Sequence, residues 1–324
     1  MSGPSISLIP PGSGGVKDYA VVVGGPLQAP PMELSPTTDS SSWTGDLLLL
    51  HFSCYGFQKR GVPLWLVKRI GSLRHQFRSF GVVFHELFAS GPPWGSAFWL
   101  NGIQKQIARE LLSVSDFWLT NRSESARWLL DQSREAPHRV LPVFSSVGEL
   151  DDIGTERLPH MVVFGSSGVR ANVYQWADGE IFRRARNAGL EIHDIGPPQQ
   201  DPALLQRFEQ EGVVAHGRLS AAEVSAKLAT AAYGALAYPS DYVSKSSIFA
   251  AYCAHGICPV LLFKEYGSYD GLSPNVHYIP GFEALATSAA NARAIGREAR
   301  DWYEPHRIDA HIAALQTMAA EVQK

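Results

Sequence analysis

Four stretches of this chain hold residues whose types and spacing can do chemistry. The first is the turn Pro10-Pro11-Gly12-Ser13-Gly14-Gly15-Val16. Glycines lack a Cβ, so their amides can approach an anion closely, and a helix starting there adds a positive dipole end. The spacing is neither GxGxxG nor a P-loop, since no GK[ST] follows, so Gly14 and Gly15 are read as a phosphate cradle or a plain tight turn. The second is Phe84-His85-Glu86, an imidazole and a carboxylate leaving an apolar run together. His85 and Glu86 suit hydrogen bonding to a sugar hydroxyl or proton transfer, and a structural strand-end histidine is the alternative.

Two further loops carry cations. Gly165-Ser166-Ser167-Gly168-Val169-Arg170 follows an apolar run, and Arg170 there is expected to clamp a diphosphate bidentately. Tyr238-Pro239-Ser240-Asp241-Tyr242-Val243-Ser244-Lys245-Ser246-Ser247 precedes a helical pattern. Lys245 with the amides of Ser246 and Ser247 makes a second phosphate site, although an ordinary N-cap explains either serine. The last stretch is a charge asymmetry. No acidic residue lies between Asp46 and Glu86, while Lys59, Arg60, Lys68, Arg69, Arg74 and Arg78 alternate with aromatic and aliphatic residues. That pattern fits a helix lying at an anionic membrane surface, or a solvated basic face over a core stripe.

Strands and helices must position these loops. Ser5–Pro10, Asp46–Phe52, Gly81–His85, Asp116–Thr120 and Arg139–Val143 read as strands, with helical spacing over Val62–Phe80, Gly102–Leu112 and Ser123–Gln132. Pro26–Ser42, rich in Pro, Ser and Thr, reads as a loop. Ser145–Pro159 reads as the boundary between two domains, after which the alternation restarts. Strands are expected over His160–Phe164, Leu190–Ile195, Val213–Gly217, Gly234–Tyr238 and Pro259–Phe263. Helices are expected over Val173–Ala188, Pro202–Gln210, Ala221–Ala231 and Ser246–His255, and through the tail from Gly281. Such alternation predicts parallel sheets with right-handed crossovers, and ligands then bind beyond the carboxyl ends of the strands. The fold expected is α/β, with two Rossmann-like doubly wound domains, 1–150 and 151–302, facing a central cleft. The last stretch, 303–324, is expected to cross back as a helix onto the first domain.

Composition agrees with this plan. The 324 residues are 45% hydrophobic and 18% charged, enough to bury two cores of ordinary size. A net charge of −3 argues against a general nucleic-acid binder. Cys54, Cys253 and Cys258 lack metal-ligand spacing and sit in apolar runs, as buried thiols in a reducing compartment do. No secretory leader and no spanning run of about 18 apolar residues is visible, so a cytoplasmic protein is expected.

The ordered motifs resemble retaining glycosyltransferases of the GT-B fold, glycosyltransferase family 4 (group 1), over nearly the whole length. The matching pieces are PPGSGGVKDY (10–19), VVFHELF (82–88), SDFWLTNRSE (115–124), VLPVFSSVGE (140–149), HMVVFGSSGVR (160–170), AHGRLSAAEVSAKL (215–228) and AYPSDYVSKSSIFAAYCAHGICPVL (237–261). The resemblance implies a nucleotide sugar held mainly by the second domain, with no metal or other cofactor. His85 would contact the donor sugar, Gly14 and Gly15 would lie near its phosphates, and Arg170, Lys245, Ser246 and Ser247 would hold the diphosphate. Ser166 stands where an arginine is frequent. The family's E-x7-E pair falls on Val243 and Ala251, so Asp241 is the candidate substitute, with Tyr242 beside it. The function implied is transfer with retention to a glycan or lipid-linked acceptor, as in cell-surface polysaccharide synthesis. A nucleotide-sugar epimerase and a non-catalytic nucleotide- or partner-binding protein are the alternatives.

Overall fold

The run Leu47-Leu48-Leu49-Leu50 is at most 1% exposed at every position, which only a strand covered on both faces allows. The computed structural model describes residues 3–89, 91, 94–132, 135–154, 156–282, 285 and 289–322. Two compact units emerge, Met1–Pro142 with Ile308–Lys324, and Val143–Arg307.

In the first unit the chain runs β1 (Ser5–Ile9), α1 (Gly15–Gly24), β2 (Pro31–Glu33), β3 (Gly45–Ser53), α2 (Cys54–Phe57), α3 (Leu64–Arg74) and β4 (Phe77–Glu86). It continues through α4 (Ser96–Val114), β5 (Phe117–Thr120), α5 (Ser123–Gln132) and β6 (His138–Val140). All pairings are parallel, in the order β2-β1-β3-β4-β5-β6. Leu48, Leu50 and Phe52 pack in one core with Leu66, Ile70, Ile107, Leu111 and Leu129 from α3, α4 and α5. The opposite face of β3 presents His51 to Tyr19 of α1.

The second unit runs β7 (Leu158–Phe164), α6 (Ser167–Gln175), α7 (Glu180–Asn187), β8 (Glu191–Ile195), α8 (Pro202–Glu211), β9 (Val214–Gly217), α9 (Ala221–Thr230) and β10 (Ala231–Ala237). Then come α10 (Ser247–Ala254), β11 (Cys258–Leu262), β12 (Ile279–Pro280) and α11 (Ala289–Tyr303). This sheet is also parallel, ordered β12-β11-β10-β7-β8-β9. The final helix, α12 (Ile308–Val322), belongs to the first unit, where it contacts α1, β4 and β5.

Several elements depart from the sequence expectation for physical reasons. The helix expected over Val62–Phe80 stops at Arg74, and Phe77–Phe80 already belongs to β4, whose apolar residues a helical count also accommodates. The single helix over Val173–Ala188 is two, broken where Ala177, Asp178 and Gly179 take φ values of 45°, 55° and 75°. The loop Pro26–Ser42 contains β2, a short edge strand too brief for periodicity to reveal. Of the tail expected to be helical from Gly281, residues 283, 284 and 286–288 lie outside the described residues.

Candidate functional site

Strand order reverses once in each sheet, between β1 and β3 in the first and between β7 and β10 in the second. Loops at the carboxyl ends of such neighbours diverge to opposite sides and leave a crevice. The glycine turn follows β1, and the two serine-rich loops follow β7 and β10.

In the first unit, Gly12 and Gly14 have φ values of 106° and 144°, which side chains adopt only with strain, and Gly14 is the N-cap of α1. A Cβ built on Gly12, Gly14 or Gly15 would meet nothing within 4 Å. The two positive φ values, rather than crowding, explain Gly12 and Gly14, and the amides at the helix start stay open to a ligand. His85 and Glu86 stand at the end of β4. Phe52 pairs with Phe84 but Ser53 with Glu86, so β4 bulges at His85 and its side chain is re-aimed. His85 Nε2 lies 3.2 Å from His51 Nδ1, and the Ser53 hydroxyl donates to Glu86 Oε2 at 3.0 Å.

Tyr19 packs edge-on to His51, His85 and His311, with ring centroids 4.8–5.7 Å apart. His311 Nε2 donates to the Pro142 carbonyl at 2.9 Å, which leaves Nδ1 to accept from the Tyr19 hydroxyl at 2.7 Å. Burial pushes the His51 imidazole down to about 3, so it is neutral at physiological pH. Sequence reasoning missed His51, Tyr19 and His311. His51 ends an apolar strand just as His85 does, a signal that was present, whereas His311 is 292 residues from its partner Tyr19.

In the second unit, Gly165 (φ 126°) lets the chain turn hard against α10, since a Cβ there would come within 2.7 Å of Ile248 Cδ1. Ser166 caps α6 through its side chain, and Ser246 caps α10 by accepting from the Phe249 amide at 3.2 Å. Two helix starts therefore open at the β7/β10 crevice, with Ser167 and Ser247 as their first residues. The 3₁₀ turn Ser240–Lys245 is pinned by Ser240 Oγ to the Glu265 carbonyl at 3.0 Å and by Ser244 Oγ to Asp270 Oδ2 at 2.6 Å. The Lys245 ammonium lies 5.6 Å from the centroid of the Tyr242 ring. Asp241 and Tyr242 are half-buried in the same turn.

Arg170 does not act as the expected clamp. It is completely buried, its guanidinium bonded to Asp194, to the Pro197 carbonyl and, through Nε at 3.0 Å, to the Gly165 carbonyl. Asp194 also accepts from the Tyr174 hydroxyl at 2.9 Å. Arg170 shares its helix face with Val173 and Tyr174, which turns it toward the sheet rather than the crevice. Its role is to fasten the loop after β7 to the loop after β8. Val243 and Ala251 are likewise buried, so neither position offers a polar group to a ligand.

Half of the basic stretch is tied to the fold, although Arg78 stays exposed. Arg69 holds the 36–40 loop through the Thr38 and Pro36 carbonyls and Ser40 Oγ, Arg74 pairs with Asp116 at 2.7 Å, and Arg78 reaches Asp46 at 3.3 Å. Lys59, Arg60 and Lys68 are exposed. Phe57, Leu66, Ile70, Phe77 and Phe80, which alternate with these cations, are core residues, as the alternative of a basic face over a core stripe requires.

A groove of about 440 Å³ lies at the carboxyl ends of β10 and β11, lined by Tyr238, Pro239, Phe263, Asn172, Gln175 and Trp176. A cavity of similar size, about 460 Å³, opens at the opposite, amino-terminal end near Arg157, Leu158, Tyr233 and Arg293, where parallel sheets seldom place ligands. Among the described residues neither crevice gathers three metal-ligating side chains.

No protein-family model matches the chain, and no curated protein matches it. Solved structures do match. Anabaena Alr3699/HepE in complex with UDP and glucose superimposes with a TM-score of 0.58 at 11% identity, over 97% of this chain and 99% of that one. The lipopolysaccharide outer core galactosyltransferase WaaB matches at 0.53 and 12% identity, over 98% and 99%. The fold is GT-B. AviGT4, a glycosyltransferase of avilamycin A biosynthesis, extends the likeness at 0.52 and 12% identity, over 99% of this chain and 98% of its own. At such identities the GT-B likeness concerns backbone architecture, and the side chains of the two crevices have to be argued from their own geometry.

Proposed function

We propose that this GT-B chain is a glycosyltransferase that moves a sugar from a nucleotide-sugar donor to a glycan or lipid-linked acceptor, with retention and with no metal taking part in the transfer. The observation that carries the reading is the β7/β10 crevice. Two capped helix starts and Lys245 converge at the one place where the strand order of that sheet reverses. Amides at helix N-termini and a lysine are the donors a diphosphate requires. The amides at Ser167 and Ser247 and the Lys245 ammonium hold the phosphates, Asp241 and Tyr242 meet donor hydroxyls, and Arg170 keeps the Gly165 turn in shape. In the first unit, the amides of Gly14 and Gly15 with His85 and Glu86 orient the acceptor side.

In the transfer, the bond from the anomeric carbon to the diphosphate breaks and a bond to the acceptor oxygen forms on the same face. The acceptor proton passes to the departing phosphate oxygen, and no protein nucleophile is required. Charge growing on the diphosphate is met by dipoles already aimed at it, which is where most of the acceleration arises. The likeness to glycosyltransferase family 4 supports retention, and the neighbour solved with UDP and glucose supports a UDP-sugar donor.

A thermal-shift screen against UDP, GDP, dTDP, ADP and CMP, followed by their sugars, tests this. A ligand that binds only the folded form raises the melting temperature by mass action, so one nucleotide class should stand out. Transfer to an acceptor, with no product in its absence, separates a transferase from an epimerase. If no nucleotide shifts the protein, a non-catalytic partner protein becomes the better account, and the buried Val243 and Ala251 favour it.

The work site we propose is the cytoplasmic face of a membrane, in cell-surface polysaccharide synthesis. No helix among the described residues is long and apolar enough to cross a membrane. Instead Trp94, Phe98, Trp99 and Ile103 are 87%, 47%, 72% and 42% exposed at the start of α4. Gln104 of that helix donates to the Arg60 carbonyl at 3.2 Å, which sets the Lys59–Arg60 loop beside it. Aromatic rings next to exposed cations suit an anionic lipid interface. Sedimentation with phosphatidylglycerol vesicles should deplete the protein, and Trp99→Ser with Lys59→Glu should abolish this. Equal sedimentation of both proteins would remove the membrane from the proposal.

A further inference from the structure

Away from the crevices, at the amino-terminal edge of the second sheet, three side chains on β7 and β8 converge. The register pairs His160 with Glu191 and Val162 with His193, so His160, Glu191 and His193 share one face. His193 pairs with Val214, and His216 follows two residues later on β9. His160 Nε2 lies 3.6 Å from Glu191 Oε2, and His193 Nε2 lies 3.7 Å from Oε1 of the same carboxylate. One ligand atom from each residue falls within 4.8 Å of the others. Two ligands each about 2.1 Å from one tetrahedral ion stand about 3.4 Å apart, so small side-chain adjustments close the set.

Ion pairing with Glu191 is open to His160 and His193 alike, but at 3.7 Å it gives the buried His193 Nε2 no hydrogen bond. Its side chain is only 8% exposed, and its Nε2 is buried with no hydrogen-bond partner. Its Nδ1, in contrast, sits 3.0 Å from His216 Nε2. With Nδ1–H donated to His216, the Nε2 lone pair points at a carboxylate oxygen, and two acceptors face one another across a gap sized for a cation. A metal-bound imidazole characteristically has this arrangement, one nitrogen ligating and the other held by a neighbour. The His160 and His193 rings stack with centroids 4.2 Å and planes 27° apart, so ligation of one ion requires one ring to turn. Lys227 of α9 is the opposing charge near His193 and His216, balanced by Glu191.

We propose that His160, Glu191 and His193 form a binding site for a divalent late transition metal of the zinc class, with His216 as the orienting partner. Two imidazoles and one carboxylate suit such borderline ions better than calcium or magnesium, which prefer all-oxygen sets. Water completes the fourth position. The ion joins β7 to β8 and, through His216, to β9. It stands at the opposite end of the strands from the β7/β10 crevice, so its part is structural and independent of transfer.

The test uses full-length, tag-free protein stripped with chelator. Titration with zinc chloride should show one equivalent bound, with a rise in melting temperature that EDTA reverses. Cobalt(II) should give the visible absorption of a four-coordinate site. Glu191→Gln, half-exposed and nearly isosteric, and His193→Ala should each weaken zinc binding by about 100-fold, and His216→Ala by roughly 10- to 100-fold. His277→Ala controls for the other histidines and should bind as the parent does. One-equivalent binding that survives in Glu191→Gln and in His160→Ala, or no binding by the folded parent protein, overturns the proposal.

Discussion

The first unit opens its crevice with glycines and backs it with histidines, whereas the second uses serine caps and keeps one lysine against an aromatic ring. Both sheets have six parallel strands and a single reversal of strand order, so architecture does not separate them. Chemistry does. Around His85 the neighbours are the Tyr19 ring and the His51 imidazole, which is neutral by burial, a surface suited to hydroxyl groups. The second crevice offers helix-start amides and a cation, a surface suited to phosphate. One fold used twice thus carries histidine and tyrosine rings at one crevice and serine-capped helix starts with a lysine at the other, and the difference lies in the loops.

The largest expected effect sets Arg170 against Lys245. Arg170→Ala strands Asp194 in the core and should cost about 3–5 kcal/mol of stability in urea unfolding. Restoring neutrality with Asp194→Asn should recover part of that loss. Unchanged stability with nucleotide binding abolished would return Arg170 to the crevice. Lys245→Ala should do the reverse, lowering kcat/KM by about 10²-fold while moving stability by less than about 0.5 kcal/mol.

The glycines allow a finer contrast. Gly14→Ala forces a side chain onto a φ of 144° and should cost about 1–3 kcal/mol, whereas Gly15→Ala, unstrained and with open space around it, should be near neutral. Chemical denaturation of the two variants checks this, and equal losses would show that the turn itself is the fragile element.

The smallest effect per step is acid sensitivity, and it should appear in both units. His51 is held down to about 3, and His255, which contacts Ser225 Oγ and the Ala251 carbonyl, to about 4, each chiefly by burial. An unfolded histidine titrates near 6.5, so the unfolded chain takes up protons first as pH falls. The stability these groups give is complete above about pH 6.5 and declines below it, by up to about 1.4 kcal/mol per pH unit for each group. Urea midpoints between pH 8 and 4.5 should show this decline, and His51→Leu should make it shallower. A slope unchanged by that substitution would place the proton uptake elsewhere.

The alternation of apolar runs with helical spacing made the parallel sheets legible, because buried strands such as Leu47–Leu50 and Met161–Phe164 have few other readings. Loops at the strand ends followed from that. Whether a loop residue faces ligand or core did not, and Arg170 shows why. Its helix phase aligns it with Val173 and Tyr174, a cue within the sequence that a pattern of glycine, serine and arginine overrides. The break at Ala177–Gly179 was hidden because residues on either side keep an apolar rhythm. The Tyr19–His311 contact had no local signal at all, since chain order says nothing about partners 292 residues apart.

That last contact bears on the order of synthesis. The first unit has its six strands by Val140, yet α12, which buries His311, Leu315, Met318 and Ala319, is translated only after the whole of Val143–Arg307. On the ribosome the second unit can therefore mature while the surface of α1, β4 and β5 that α12 covers is still open. A circular permutant that joins α12 ahead of β1 would remove the wait, and its yield on expression would report how much that delay costs the cell.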